Sequence, residues 1–182
     1  MFWEGIALGI LIGWLRGGKI SNIALKPVYL GSLVFIAFFL QSLLNYGAAR
    51  LELPVQAAYY LRLLSFLLLL IFAYVNRERP GLLLAGAGVF LNFLVIALNG
   101  TMPVSPRGMT AHQVDALTAG SSALHSLITS ETRLSFLGDV LPLAYKGQSI
   151  SIGDVLISLG LLYFFQRSMR YKKKKYYRPM AW

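Results

Sequence analysis

Apolar positions in this chain come in long unbroken runs, without the alternation of a half-buried strand or the three-to-four spacing of a surface helix. Five runs approach the ~20 residues that a helix rising ~1.5 Å per residue needs to cross a hydrocarbon core of ~30 Å. They are Phe2 to Leu15, Val28 to Ala48, Val55 to Val75, Gly81 to Leu98 and Ile152 to Met169. The pattern predicts an all-α integral membrane helical bundle of about five transmembrane helices. Residues 1–170 form a single transmembrane domain in this reading, and 171–182 form a basic cytoplasmic tail. The first run has the length of a signal peptide, but no basic residue precedes it and no small-residue cleavage pattern follows it, so it is read as a short span.

The pattern changes between the fourth and fifth runs, in "NGTMPVSPRGMTAHQVDALTAGSSALHSLITSETR". Asn99-Gly100, Pro103 and Pro106 arrest the preceding helix. Beyond them Val114, Leu117, Leu124 and Ile128 share one helical face, and Asp115, Thr118, Ser122 and His125 share the other. That spacing predicts an amphipathic helix lying across the outer surface.

The segment "LGDVLPLAYKGQSISIGDVL" then spells Gly-Asp-Val-Leu twice. Each Asp is read as a helix start at the outer boundary. Asp154 would stand just before the first turn, where free backbone amides and the helix dipole favour a carboxylate by ~1 kcal/mol each. Asp139 precedes only Val140 to Tyr145, too short to span, which is expected to lie in the interface or to dip in and return through Lys146 and Gly147. The glycine before each Asp is read as permitting a tight turn.

Composition strengthens the membrane reading: 57% of residues are hydrophobic and 13% charged, with mean hydropathy +0.62, against about a quarter charged in soluble domains. The lack of cysteine excludes disulfides, thiolate nucleophiles and iron–sulfur clusters, and two histidines leave no metal site to expect. No cofactor is assigned. The net charge of +10 is concentrated in "RSMRYKKKKYYRPMAW", suited to anionic lipid at about 1 kcal/mol per basic residue. No nucleic-acid partner is expected, because the tail offers neither a folded module nor a stacking platform.

Charge also sets orientation. Arg16, Lys19, Lys26, Arg77, Arg79 and the tail fall on one side of the five runs, and Arg50, Arg107, Arg133 and Lys146 on the other. The positive side stays in the cytoplasm, so the N-terminus faces outward and the C-terminus inward. On this topology Glu4, Gln41, Asn45, Arg62, Asn92, Asn99 and Asp154 lie in the outer halves, while inner halves such as "SFLLLLIFAYV" are apolar. Arg62, Asn92, Asn99, Asp115, His125, Asp139 and Asp154 are therefore the candidate binding residues of an outer polar pocket. A charge at mid-depth costs about 3 kcal/mol, so Arg62 either snorkels to the headgroups or pairs with Asp154, Asp139 or Glu4. Gly5, Gly9, Gly13 and Gly17 recur every four residues and predict a smooth helix-packing ridge, serving the bundle or a partner helix.

At "NGTMPVS", "FLGDVLPL" and "SIGDVLISLG" the chain resembles a family of small bacterial integral membrane proteins known only as a domain of unknown function. The resemblance implies a multi-span bacterial membrane protein with Asn99, Met102, Pro103, Asp139 and Asp154 at motif positions, and implies no reaction or substrate. The residues favour a binding or assembly module with a pocket open to the outer face. The alternative is an enzyme acting on an outer-leaflet lipid or cofactor, with Asp139, Asp154 or His125 in acid–base roles. Ser122, His125 and Asp139 are the residue types of a nucleophile triad, but their spacing supplies no triad geometry, and catalytic residues stay unassigned. A permease would need polar groups through the full thickness, which the apolar inner halves lack.

Overall fold

Each apolar run folds as a helix: α1 (Phe2–Leu15), α2 (Ser32–Gly47), α3 (Val55–Val75), α4 (Leu82–Asn99) and, at the end, α6 (Ile152–Met169), with a short α5 (Ala111–Thr118) in the long connection. The computed structural model describes residues 2–25, 27–47, 53–107, 109–119, 124–143 and 147–171. Arg50, Ser122, Lys146, the side chain of Asn45 and the basic tail from Lys172 lie outside the described residues. Two helices, Val55–Val75 and Leu82–Asn99, are long and apolar enough to cross a membrane, and the apolar stretches of α1 and α2 are shorter.

The helices pack in the order α1, α6, α4, α3, α2. Residue pairings fix their directions. Gly5 faces Ser158, Gly9 faces Leu162 and Gly13 faces Gln166 and Met169, so α1 and α6 run parallel. Gly88 faces Gly153 and Ile157 while Gly81 faces Gly160 and Phe164, so α4 and α6 are antiparallel. The Tyr59 hydroxyl donates to Ala97 O at 3.1 Å and Gly86 faces Ala73, which makes α3 and α4 antiparallel. Gln41 bonds Ser65 at 3.2 Å and the Tyr29 amide donates to Asn76 Oδ1 at 2.8 Å, which makes α2 and α3 antiparallel. Successive long helices thus alternate in direction.

Three of the four ridge glycines lie against α6. A methyl on Gly5 or Gly9 would meet the α6 backbone at 2.6 or 2.7 Å, and one on Gly13 would meet Met169 Sδ at 2.9 Å. Gly17 is the exception. It has φ +75° beyond the end of α1 with no neighbour within 4 Å, and the close approach passes to Gly18. The helix has ended there, so a spacing of four no longer keeps one face.

The connection from α4 to α6 corrects the all-α expectation. Strand β1 (Met102–Val104) pairs in parallel with β2 (His125–Leu127), and β3 (Leu141–Leu143) pairs antiparallel with β4 (Gln148–Ile150). The expected amphipathic helix is therefore cut to Ala111–Thr118, started by a capping box of Thr110 and Gln113. Leu124 and Ile128 leave it because β1 needs backbone partners: Met102 N donates to Leu124 O and Ile128 N to Val104 O. Residues after Asp139 start no helix either. They form the β3–β4 hairpin, with Gly147 at φ +57° in the turn. Met102 and Leu137 pack onto Val95 and Ile96, seating this connection across one end of α3 and α4, called here the loop end.

Candidate functional site

A cavity of about 340 Å³ lies between α2, α3, α4 and α6, beneath the connection. It follows α4 from Ile96 to Leu82, a depth of roughly 20 Å at ~1.5 Å per residue. Most of the wall is hydrocarbon, including Phe38, Phe66, Phe72, Val89, Ile157 and Leu161. Polar groups gather toward the loop end: Arg62, Asn92, His125, Asp139 and Asp154, with Gln41 on α2. Five of the seven predicted pocket residues therefore share one cavity.

The other two do not line it. Asn99 pins the connection instead, donating from Nδ2 to Val95 O at 2.8 Å and to Arg133 O at 2.9 Å, and accepting from Arg133 N at 2.9 Å. Asp115 is exposed on α5. Glu4 is also absent from the lining.

Arg62 is 3% exposed, which corrects the snorkelling alternative. The connection comes to it: Nη1 donates to Leu124 O at 3.1 Å and Gly100 O at 3.4 Å. Two of the carbonyls left over where α4 turns into β1–β2 thus gain a cationic donor.

Asp154 and Asn92 hold α6 against α4. Ser151, not Asp154, is the N-cap of α6. Its hydroxyl accepts from Asp154 N at 2.9 Å, and Asp154 Oδ2 accepts from Ser151 N at 3.4 Å, completing a capping box. Asn92 closes the group, donating from Nδ2 to Asp154 Oδ1 at 2.8 Å and accepting from Ser151 Oγ at 2.8 Å. The "SIGD" spacing carried that capping signal, and Ser151 could have been found from it.

Asp139 enters from the connection. Its amide donates to Pro103 O at 2.8 Å and its carbonyl accepts from Ser105 N at 2.9 Å, in a parallel bridge to Val104. The preceding glycines explain the repeated tetrapeptide, though not by tight turns, since neither has positive φ. A methyl on Gly138 would meet Pro103 O at 2.5 Å, and one on Gly153 would strike the Asn92 side chain and Gly88 O. Each glycine lets its Asp's backbone press against a partner. Both carboxyls then reach the same cavity.

Asp139 is 7% exposed, and its Oδ1 has no hydrogen-bond partner among the described residues. Burial, and then the nearby Asp154 charge, push its pKa up to about 8. Burial, and then the Arg62 charge, hold the His125 pKa below its ordinary value, so the imidazole is neutral at pH 7. No group of three or more metal-ligating side chains occurs among the described residues. The arrangement can do two things: hydrogen-bond a polar group at one end and bury hydrocarbon along the rest.

No solved structure matches the chain. It is 29% identical over 176 residues to an uncharacterized protein of Thermotoga maritima, with 94% of each chain covered. The Family of unknown function (DUF5317) matches residues 22–166, most of the chain and every element that lines the cavity, and the protein belongs to that family.

Proposed function

We propose that this is a five-span protein of the bacterial plasma membrane, N-terminus outside and C-terminus inside, that binds an amphiphilic molecule in the α2–α3–α4–α6 cavity. Large apolar side chains on the bundle exterior support the membrane setting, including Trp3 at 81% and Phe35 at 77% exposed, while Arg62, Ser65, Asn76 and Asn92 are buried. The alternating helix directions suit successive crossings. Helix α1, at 14 residues, is about 21 Å long and needs local bilayer thinning or its flanking segments to cross. Residues 1–170 act as one transmembrane domain, and the basic tail meets anionic lipid on the inner side.

The single observation that carries the binding reading is the convergence of Arg62, Asn92, His125, Asp139 and Asp154 at one end of an otherwise apolar cavity. Headgroup and chain each have a matching wall. Catalysis is a second reading, favoured by an Asp139 of raised pKa and a neutral His125 on the wall of the same cavity; acid chemistry would be lost in Asp139→Asn, whereas binding survives it.

Filling the cavity tests the proposal. Val89 is buried on the wall, and Val89→Phe places a ring where the chain would lie. The wild type purified into phosphatidylcholine nanodiscs should release an additional amphiphile on solvent extraction, detected by mass spectrometry, and Val89→Phe should lack it while keeping its helical circular dichroism. Identical extracts from the two folded proteins would remove the binding reading.

A further inference from the structure

The polar end also constrains the headgroup, and this inference rests on the amphiphile-binding reading above. Charge comes first. Arg62 on α3, Asp154 on α6 and Asp139 on the connection face the cavity together, with Asn92 on α4 and His125 on β2. An anionic headgroup would meet the carboxyl of Asp154 and a cationic one would meet the guanidinium of Arg62. Both ionic groups also have work inside the protein: Arg62 Nη1 on Leu124 O and Gly100 O, and the two oxygens of Asp154 on Asn92 and Ser151.

Asp139 differs from them. The residue lines the cavity, and its Oδ1 is buried and lacks a hydrogen-bond partner among the described residues. Buried polar atoms are normally satisfied, so one facing a cavity points to a partner that arrives with a ligand. The cavity volume of about 340 Å³ lies near the floor of the roughly 300–1,000 Å³ range of ligand pockets. Drawn out over its depth, that volume suits one chain. At Phe38, which lines the cavity and is 47% exposed, the wall is one side chain thick.

We infer that the ligand is a single-chain amphiphile with an uncharged hydroxyl headgroup, such as a monoacylglycerol or a long-chain alcohol, whose hydroxyl hydrogen-bonds Asp139 Oδ1. A hydroxyl both donates and accepts, so it satisfies the carboxyl whichever oxygen carries the proton. With the Asp139 pKa near 8, the carboxyl is mainly protonated at neutral pH and adds no charge to the polar end.

Four twelve-carbon probes separate the headgroup from the chain: monolaurin, methyl laurate, dodecyl phosphate and dodecyltrimethylammonium. Each is titrated at pH 7 into the protein in phosphatidylcholine nanodiscs, with binding read as the rise in melting temperature. The cavity-filled Val89→Phe protein supplies the background from partition into disc lipid. Monolaurin should stabilise the wild type above that background, and the two charged probes should need at least ten-fold more ligand for the same shift. Methyl laurate, which accepts but cannot donate, should also be weaker. Asp139→Asn should keep the preference for monolaurin and Asp139→Leu should lose it.

Tighter binding of either charged probe than of monolaurin, or an unchanged preference in Asp139→Leu, overturns the headgroup inference and leaves the cavity reading standing. Methyl laurate equalling monolaurin overturns the hydroxyl. If no probe stabilises the wild type more than Val89→Phe, both readings fall.

Discussion

Asp139 is the residue on which fold and site make opposite demands. Its backbone knits the connection to β1 through Pro103 and Ser105, and that position delivers its carboxyl to a place hostile to charge. The folded pKa is about 8 against an ordinary 3.8. Between those values the folded chain holds a proton that the unfolded chain has released, so raising the pH through the window favours unfolding. The loss is complete once the pH passes the folded value. Asp139→Asn carries no proton to lose. The melting temperature of the wild type should therefore fall relative to Asp139→Asn as the pH rises from about 5 to about 8, and the gap should then stay constant. Arg62, Asp154 and His125, which face the same carboxyl, are common to both proteins, so their own titrations largely cancel. Melting curves that stay parallel across the whole series would contradict a buried, protonated Asp139. The residue-level legibility of the site has the same origin: Arg62, Asn92, Asp139 and Asp154 stand out in the sequence because polar groups are scarce in so apolar a chain. Which of them share a cavity depends on a connection whose path the sequence did not disclose, and Asp115 and Asn99 went astray for that reason.

The long helices are legible because run length and hydropathy suffice to mark them. Helices α1, α3 and α6 begin and end where their apolar runs do. The four strands are not legible, since three-residue strands have no periodicity to detect, and Pro103 argued against a strand at the very position where one forms. Glycines divide along the same line. Gly5, Gly9 and Gly13 declare a ridge within one helix, whereas Gly88, Gly153 and Gly160 matter only because α4 and α6 approach each other there. Helix contacts of this kind depend on the missing methyl on both sides. Gly153→Ala should cost about 1–3 kcal/mol through overpacking against Asn92 and the Gly88 carbonyl. Gly31→Ala is the matched control: its methyl would meet only Val28 Cγ2 at 3.9 Å, so its effect should stay within about 0.5 kcal/mol. Denaturant unfolding in detergent compares the two. Equal effects would mean that the α4–α6 contact is looser than the geometry requires.

At the scale of the whole molecule, direction and charge agree without having been derived from each other. Helix α1 enters from the same end as α6, and the chain reverses at each intervening long helix, so the end of α1 and the start of α2 meet the α3–α4 turn and the end of α6. That end carries Arg16, Lys19, Arg77, Arg79, Arg167 and Arg170, and it is tied together by Asn76 on Tyr29 and by Arg79 on Pro27 O at 2.7 Å. The loop end, among the described residues, has Arg107 and Arg133 outside the bundle. Retention of positive charge in the cytoplasm then predicts that the loop end, with the polar mouth of the cavity, faces outward. A fluorescent-protein fusion at the C-terminus should glow, and an alkaline phosphatase fusion there should be inactive. Phosphatase fused after Arg133 in the connection should be active. The reverse pattern would turn the polar end of the cavity toward the cytoplasm, and any amphiphile it holds would then come from the inner leaflet. The headgroup chemistry would be unaffected, because it depends on the side chains at the polar end of the cavity and not on which way the bundle is inserted.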